Sequence, residues 1–285
     1  MADPPATAPG AFDRDTAVSL QESSGPERVF AAEVSPDWRA GRGPHGGYLA
    51  AMIMRALIQS VGDATRSPRS LTIHYARAPR PGPVLIRTSL EREGRSLSTI
   101  SARMEQEGAP VALVLSAFSV PWTGPEISDI EMPLVAPPEE TREAGSALEH
   151  GAPPFTRHIV MQPRLGGVPF ADAPQSMEIG GWLGLAEPRP IDAISLALFA
   201  DALIPGPFMR LGEPNAAPTI DLTIHFREPT PRGEHPDPHE LCLVRVRAGL
   251  IHEGFFEEDS MIWAADGRLL AQSRQLALLL PLAIR

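Results

Sequence analysis

The spacing of hydrophobic positions separates one helical stretch from a series of strands in the first half of the chain. Residues 48–58, which follow Gly46 and Gly47, are apolar on nearly every side, and this predicts a core helix that is buried all round. Four runs rich in β-branched residues follow, at about 69–77, 83–92, 96–106 and 110–119, with turn-forming residues between them. We predict that these runs are strands of an antiparallel sheet that curls around the helix.

The same order of elements recurs in the second half. Pro190 stands where a first-turn proline is tolerated, so a second helix is predicted over 191–203, ended by Pro205. Leu-Thr-Ile-His-Tyr at 71–75 is answered by Leu-Thr-Ile-His-Phe at 222–226, which indicates an internal repeat. The chain is therefore predicted to be two copies of one unit that pair edge to edge and so cover their exposed sheet edges. The strands of the second copy are predicted at about 217–227, 240–251, 254–264 and 268–280.

The repeat sets the predicted domain boundaries. The first unit covers 27–120 and the second covers 155–285. Residues 121–154 between them are rich in proline and have no sustained period of 2 or 3.6, so they are interpreted as a linker lying on the surface. Residues 1–26 are expected to form a flexible N-terminal extension.

Charge and composition exclude several classes of protein. The chain has 25 basic and 35 acidic residues, a formal net charge of −10 and no basic run, so nucleic acid is not an expected partner. The longest apolar run, 276–284, is interrupted by proline and is far shorter than a membrane span. A single cysteine, Cys242, and a start without the features of a secretory signal indicate a cytoplasmic protein.

An acidic residue interrupts the apolar stripe of the second predicted helix. Ile194, Leu198 and Asp201 follow one another at steps of four and three, so the carboxylate occupies a position where burial favours an apolar side chain. Burial raises the pKa of a carboxyl group and suits it to act as a general base on water. The alternative is that the stripe ends there and Asp201 points to water near Pro205.

Two neutral polar residues lie in the strands of the second copy. Thr219 begins a strand whose apolar residues alternate with polar ones, and the alternation alone favours a solvated position for it. Gln275 lies among aliphatic residues, where a buried amide must find hydrogen-bond partners. An ordinary amide at a sheet edge is the alternative for Gln275.

The start of the first helix offers backbone N–H groups. Gly46, Gly47 and Tyr48 could donate to the oxyanion that forms when a carbonyl is attacked, because the helix dipole is positive there and glycine allows close approach. Alternatively, the glycines serve only to make a tight turn. His45 before them could contact the substrate or simply pack near the helix start.

No cofactor or metal is expected. The loop 235–240 concentrates His235, Asp237, His239 and Glu240, but its prolines favour accidental polarity over a metal site. The chain has no Gly-x-Ser-x-Gly elbow and no glycine-rich nucleotide-binding motif, which argues against an α/β serine hydrolase and against dinucleotide chemistry.

Several motifs, in their order and spacing over residues 27–280, resemble the TesB-like acyl-CoA thioesterases. This resemblance implies an α+β double hotdog fold of two tandem helix-wrapped antiparallel sheets and the hydrolysis of an acyl-CoA substrate. It also implies that Asp201, Thr219 and Gln275 hold and activate the hydrolytic water, and we expect a homo-oligomer, a dimer or tetramer. The motifs are Gly-Pro-His-Gly-Gly-Tyr at 43–48, Glu-Gly-Arg-Ser at 93–96, Ala-Asp-Ala-Leu at 200–203, Pro-Thr-Ile-Asp at 218–221 and Gly-Arg-Leu-Leu-Ala-Gln-Ser-Arg-Gln at 267–275.

Two other functions stay open at the level of sequence. Because a fold does not fix a function, the chain could bind acyl thioesters without hydrolysing them, or assist acyl transfer. A less favoured alternative is an enoyl-CoA hydratase, which in this fold uses an Asp and a His about five residues apart. Asp221 and His225 are four apart on one predicted strand, so they match that pattern poorly.

Overall fold

The computed structural model describes residues 9–141, 152–170, 176–213, 215–231, 233 and 236–281. Three α-helices occur among these residues: α1 (Ala11–Asp15), α2 (Gly46–Val61) and α3 (Ala193–Phe199). Short 3-10 helices cover Pro36–Trp38, Pro154–His158 and Gly206–Met209. None of the helices in these ranges is long and apolar enough to cross a membrane.

Twelve strands form one antiparallel sheet. The first half supplies β1 (Val18–Ser24), β2 (Glu27–Val34), β3 (Ser67–Tyr75), β4 (Gly82–Glu93), β5 (Leu97–Gln106) and β6 (Ala109–Ser119). The second half supplies β7 (Ile159–Gly166), β8 (Glu178–Leu185), β9 (Thr219–Phe226), β10 (Cys242–His252), β11 (Phe255–Trp263) and β12 (Leu269–Leu278). Two-residue strands pair Arg39–Ala40 with Gly43–Pro44 and Asn215–Ala216 with Leu280–Pro281.

The strand order has a pseudo-twofold axis at its centre. The order is β1-β2-β4-β5-β6-β3-β9-β12-β11-β10-β8-β7, so each half repeats the other in reverse. Strands β3 and β9 pair antiparallel at the centre, where Thr72 lies opposite Thr223 and their hydroxyls are 3.2 Å apart. The sheet wraps around α2 and α3, which pack against each other. The predicted double hotdog architecture and the edge-to-edge pairing of its halves are confirmed.

Helix α2 is the centre of the core. Most of its side chains from Tyr48 to Leu57 are buried, as the largely apolar composition of 48–58 predicts. The helix begins after His45 and ends at Gly62, which adopts φ +63° and donates its backbone N–H to the carbonyl of Ile58. Its first turn faces the end of α3, and this junction places the candidate site.

Helix α3 is shorter than predicted at both ends. The side chain of Asp192 accepts hydrogen bonds from the backbone N–H groups of Ile194 and Ser195, and the Ser195 hydroxyl in turn accepts the Asp192 N–H. This capping box starts the helix two residues after the predicted position. The helix ends at Phe199, so Asp201 lies in the turn beyond it.

The sequence analysis missed strands that precede each helix. As a result, the first unit begins earlier in the chain than the predicted boundary at residue 27. The structure places α1 and β1 within residues predicted to be a flexible extension, 1–26, and β1 pairs with β2 at the sheet edge. In the second half β8 carries few β-branched residues because its glycines lie against neighbouring backbone. A Cβ at Gly181 would lie 2.4 Å from the carbonyl oxygen of Gln162. Close packing therefore removed the strand signal in β8.

The proline-rich segment lies along the second half of the sheet. Residues 120–141 contain no helix or strand, and residues 142–151 lie outside the described part of the chain. The indole N–H of Trp182 donates to the carbonyl of Ala136 at 2.9 Å, and the Gln162 side chain bonds the backbone of Glu139 and Thr141. These contacts hold the segment against β7 and β8.

Candidate active site

The Asp201 carboxylate lies where the end of α3 meets the start of α2. Its side chain is 12% exposed, and its Oδ2 accepts the backbone N–H of Gly47 at 2.8 Å. No donor to Oδ1 is found among the described residues. The carboxylate therefore has one oxygen fixed by the protein and one left for another partner.

The two glycines permit this contact. A Cβ at Gly47 would lie 2.6 Å from the carbonyl oxygen of Leu198, and a Cβ at Gly46 would lie 2.8 Å from Oδ2 of Asp201. Neither glycine has a positive φ, so neither is required by the geometry of a tight turn. Their absent side chains instead let the helix start approach α3 and Asp201.

His45 is a packed residue that caps α2. Its Nδ1 accepts the N–H of Tyr48 at 3.2 Å, so its Nε2 carries the hydrogen and donates to the backbone carbonyl of Asp201 at 2.8 Å. The ring stacks on Phe155 with centroids 4.2 Å apart and is 3% exposed. Burial lowers the pKa of His45, although the Asp201 carboxylate acts in the other direction. His45 therefore packs near the helix start, which was the alternative to contacting the substrate. Both of its ring nitrogens form hydrogen bonds within the protein.

The pKa of Asp201 is raised because the group is buried. The neighbouring His45 and the hydrogen bond from the Gly47 amide act against this shift without cancelling it. A carboxylate with a raised pKa is a stronger base than an exposed one, which suits it to accept a proton from water near neutral pH.

Thr219 and Gln275 lie side by side on the inner face of the sheet. The Thr219 hydroxyl donates to Oε1 of Gln275 at 3.1 Å. The alternation of β9 alone would turn Thr219 outward, but a β-bulge lies between Thr219 and Asp221 and reverses its face. Thr219 consequently pairs with Ala277, which is buried. The prediction from alternation was wrong because a bulge has no clear signal in this sequence.

Glu258 extends this pair and was missed by the sequence analysis. Its Oε2 accepts the Nε2–H of Gln275 at 2.7 Å, and its Oε1 accepts the backbone N–H of Gly206. Burial raises the pKa of Glu258, and the negative charge of Asp201 adds to this shift, so the two carboxyl groups interact electrostatically. No direct hydrogen bond joins Asp201 to Thr219 or Gln275 among the described residues. A carboxylate at an inward strand position was the signal that could have identified Glu258.

Tyr75 also reaches the site from the first half. Its hydroxyl donates to the carbonyl of Gly46 at 2.9 Å, and its pKa is raised well above the usual value by burial and by the charge of Asp201. The sequence held a signal for it. The five-residue repeat differs only at this position, where the second copy has Phe226.

The amides at the start of α2 are partly engaged. Gly47 donates to Asp201 and Tyr48 donates to His45, while no acceptor for the Gly46 N–H is found in the described part of the chain. The Tyr48 ring stacks on Trp38, and its hydroxyl donates to the carbonyl of Asp15. Of the three amides proposed as oxyanion donors, Gly46 is therefore the one without a partner among the residues that the structure describes.

Ligand groups for a metal do not gather within the described residues. No cluster of three His, Cys, Asp or Glu side chains is found there, and His235 lies outside them. A surface depression of about 380 Å³ lies on the first half and contains none of the candidate residues. Arg87 and Arg103 line it, and both pair with Glu105.

The fold agrees with solved structures of a hot dog fold protein and of thioesterases. A hot dog fold protein of Alicyclobacillus acidocaldarius matches 95% of this chain and 98% of its own, at 24% identity and a TM-score of 0.83. A putative thioesterase II of Thermobifida fusca matches 94% of this chain and 97% of its own, at 25% identity and a TM-score of 0.76. The acyl-CoA thioesterase II TesB2 of Mycobacterium marinum matches 97% of this chain and all of its own, at 17% identity and a TM-score of 0.73.

Sequence comparison defines the family. The acyl-CoA thioesterase N-terminal domain matches residues 34–119, and the acyl-CoA thioesterase C-terminal domain matches residues 133–279. An uncharacterized protein of Mycobacterium tuberculosis is 25% identical over 277 residues, which cover 88% of this chain and 91% of that protein. The chain belongs to the acyl-CoA thioesterase family and is a thioester hydrolase with acyl-CoA as its substrate class.

Proposed function

We propose that this thioesterase hydrolyses acyl-CoA by direct attack of one water molecule, which Asp201, Thr219 and Gln275 hold and activate. Oδ1 of Asp201 accepts one hydrogen of the water, and the Thr219 oxygen accepts the other. The second Nε2–H of Gln275 donates to the water oxygen, which leaves one lone pair free to attack. Each hydrogen bond is compatible with the donors and acceptors already used within the protein.

The reaction then balances without an acyl-enzyme intermediate. Asp201 takes a proton as the water oxygen bonds to the thioester carbon, and the carbonyl oxygen becomes an oxyanion. The Gly46 N–H at the start of α2 is the proposed donor to this oxyanion. When the tetrahedral intermediate collapses, the carbon–sulfur bond breaks and the proton passes from Asp201 to the CoA thiolate, giving the free acid and CoA.

One observation carries the proposal. A buried carboxylate with a raised pKa keeps one oxygen without a donor among the described residues, and β9 and β12 of the same half carry a hydroxyl and an amide that are hydrogen-bonded to each other. An Asp that only capped or packed would not need a vacant oxygen in a largely buried position. The cytoplasm remains the expected compartment, since the one cysteine, Cys242, is a buried free thiol.

The test measures release of free thiol from acyl-CoA substrates of graded chain length. Asp201→Asn should lower kcat by about 10³-fold, because general base catalysis of this kind contributes on the order of 10² to 10⁴. Wild-type turnover in ¹⁸O-labelled water should place one label in the acid product. Asp259→Asn is the matched control, because it removes an exposed carboxylate from the outer face of β11.

The outcomes separate the alternatives. Full thiol release by Asp201→Asn would refute the base assignment, and tight acyl-CoA binding by the wild type with no thiol released would favour a binding protein. Loss of enoyl-CoA absorbance without free thiol would indicate a hydratase. Light scattering of the same preparation tests the expected dimer or tetramer.

A further inference from the structure

Glu258 is a carboxylate in a position that the fold otherwise fills with an apolar side chain. It is 4% exposed and shares the inner face of β11 with Phe256 and Ile262, which are also buried. In the first half, the strand register that pairs Glu258 with Gln275 pairs Ile100 with Ser116. Burying a carboxylate costs free energy, so this one is retained against the packing preference of the site.

Both oxygens of Glu258 are committed to N–H donors. Oε2 accepts from the side-chain amide of Gln275 at 2.7 Å, and Oε1 accepts from the backbone of Gly206. A side-chain amide can turn over and exchange its oxygen and nitrogen, and its hydrogen bonds decide between the two orientations. Because a carboxylate can only accept, it holds the nitrogen of Gln275 toward itself and the oxygen toward Thr219.

We propose that Glu258 is a positioning residue that fixes the Gln275 amide in the orientation needed to hold the hydrolytic water. In this orientation Oε1 of Gln275 accepts the Thr219 hydroxyl, and the second N–H remains available to the water. The bond to Gly206 also ties β11 to the segment that follows Asp201 in the chain. This inference rests on the proposed function, since it concerns the same water.

Protonation of Glu258 breaks the arrangement. A protonated carboxyl carries a hydrogen on one oxygen, which then faces an N–H of either Gln275 or Gly206, so one of the two bonds is lost. The ionised form is therefore the competent form. Burial, reinforced by the charge of Asp201, raises the pKa of Glu258 to about 7, although the bonds from Gln275 and Gly206 act against this shift.

Other charged groups near β11 face away from Glu258. Asp201 is the charged group that acts on it from the helix side among the described residues, and His45 adjoins Asp201. The neighbouring strands carry their charges on the outer face, where they pair with one another or lie over an aromatic ring. These residues are Arg274 with Asp259, Arg247 with Glu178, and Arg245 over Trp263. Glu257 interacts electrostatically with Arg274.

The experiment compares Glu258→Gln with the wild type over a range of pH. A glutamine keeps the shape but presents an NH₂ group to one of the two donors, so kcat should fall by about 10-fold, the equivalent of one hydrogen bond. KM should change little. The wild-type kcat should rise with pH through about 7, and this limb should be absent from the variant. Glu258→Asp keeps a titratable acceptor and should retain the limb, and Asp259→Asn should leave the whole profile unchanged.

A second measurement does not depend on turnover. The ¹H–¹⁵N signals of the Gln275 side-chain amide, assigned by their loss in Gln275→Ser, should titrate with a midpoint near the Glu258 pKa and stop titrating in Glu258→Gln. Unchanged kcat, an unchanged pH limb or a non-titrating amide would overturn the proposal. If Asp201→Asn keeps its activity while the amide still titrates with Glu258, the proposed water mechanism fails instead. If Glu258→Gln does not fold, Glu258→Asp and the wild-type titration decide the question.

Discussion

The two halves of the sheet share one register but differ in the chemistry of a few inward positions. The pairs Glu258–Gln275 and Ile100–Ser116 occupy equivalent places in the second and first halves. Ser116 donates its hydroxyl to a backbone carbonyl at 2.6 Å, and Ile100 is fully buried. Only the second half has a carboxylate and an amide at these places, so one polar cluster forms per chain.

The bulge near the central strands occurs in both halves. It lies between Pro68 and Ser70 in β3 and between Thr219 and Asp221 in β9. Pro68 has no hydroxyl at the position where Thr219 meets Gln275. Both halves therefore have the β-bulge that turns the residue before it inward. Only Thr219 has a side chain that can form the hydrogen bond to Gln275.

The starts of the two helices differ as well. Helix α2 begins with glycines against Asp201, whereas the start of α3 is occupied by an ion cluster. Arg189 binds both oxygens of Asp192 at 2.8 and 2.7 Å and also pairs with Asp13 of α1. The ring of Phe12 lies 5.2 Å below the same guanidinium. The N-terminal segment thus covers the helix start that lacks the candidate residues.

Glu258→Ile, which installs the first-half residue, should change the pH dependence of stability most. Folding raises the pKa of Glu258 from its usual value of 4.5 to about 7, so the folded state holds the proton more tightly. The contribution of this group is fully present below about pH 4.5 and is lost as pH rises through about 7. Between those limits the wild type should lose on the order of 3 kcal/mol relative to the variant.

Urea unfolding of both proteins at pH 5 and pH 8 measures this difference. Asp201 and other groups titrate in both proteins, so the difference between the two isolates Glu258. A wild type and variant whose free energies of unfolding run parallel across this range would mean that Glu258 stays ionised throughout.

Gln275→Ser copies the first-half residue at the centre of the polar cluster. The serine is too short to join Thr219 to Glu258, so the water loses a donor and kcat should fall by about 10²-fold, or nearly 3 kcal/mol of transition-state stabilisation. Thiol release from acyl-CoA measures the effect. Ser116→Ala is the matched control and should leave kcat unchanged, since it alters the equivalent place in the half without the cluster. An equal loss in both variants would mean that the two halves contribute alike.

The sequence predicted the repeated architecture of the fold more fully than the individual strands and helix boundaries. The repeat at 71–75 and 222–226 was sufficient to predict two units that pair edge to edge, and the structure shows that the paired edges are β3 and β9, the strands that carry the repeat. Strand β8 was not predicted because it has few of the β-branched side chains that are typical of strands. Its Gly181 packs against neighbouring backbone, where a side chain would not fit. The late start of α3 follows from its cap at Asp192, a local interaction that outweighed the position of Pro190.

The candidate site was predicted in part. Asp201 was singled out as a carboxylate in an apolar pattern, and this survived the wrong helix length because the turn after α3 still buries it. Thr219 needed a bulge that only strand register reveals. Glu258 and Tyr75 act through contacts with residues distant in the chain, which periodicity along one strand does not report.

Ser260→Ala gives the smallest expected change and tests the same comparison next to the polar cluster. The Ser260 hydroxyl is buried and has no hydrogen-bond partner among the described residues, whereas its first-half equivalent is Ala102. An unsatisfied buried hydroxyl destabilises the folded state, so its removal should raise the free energy of unfolding by about 1 kcal/mol with kcat unchanged. Ala102→Ser, the reverse change, should lower it by a similar amount. Chemical unfolding measures both, and a destabilised Ser260→Ala would instead indicate that this hydroxyl binds an internal water that belongs to the second half.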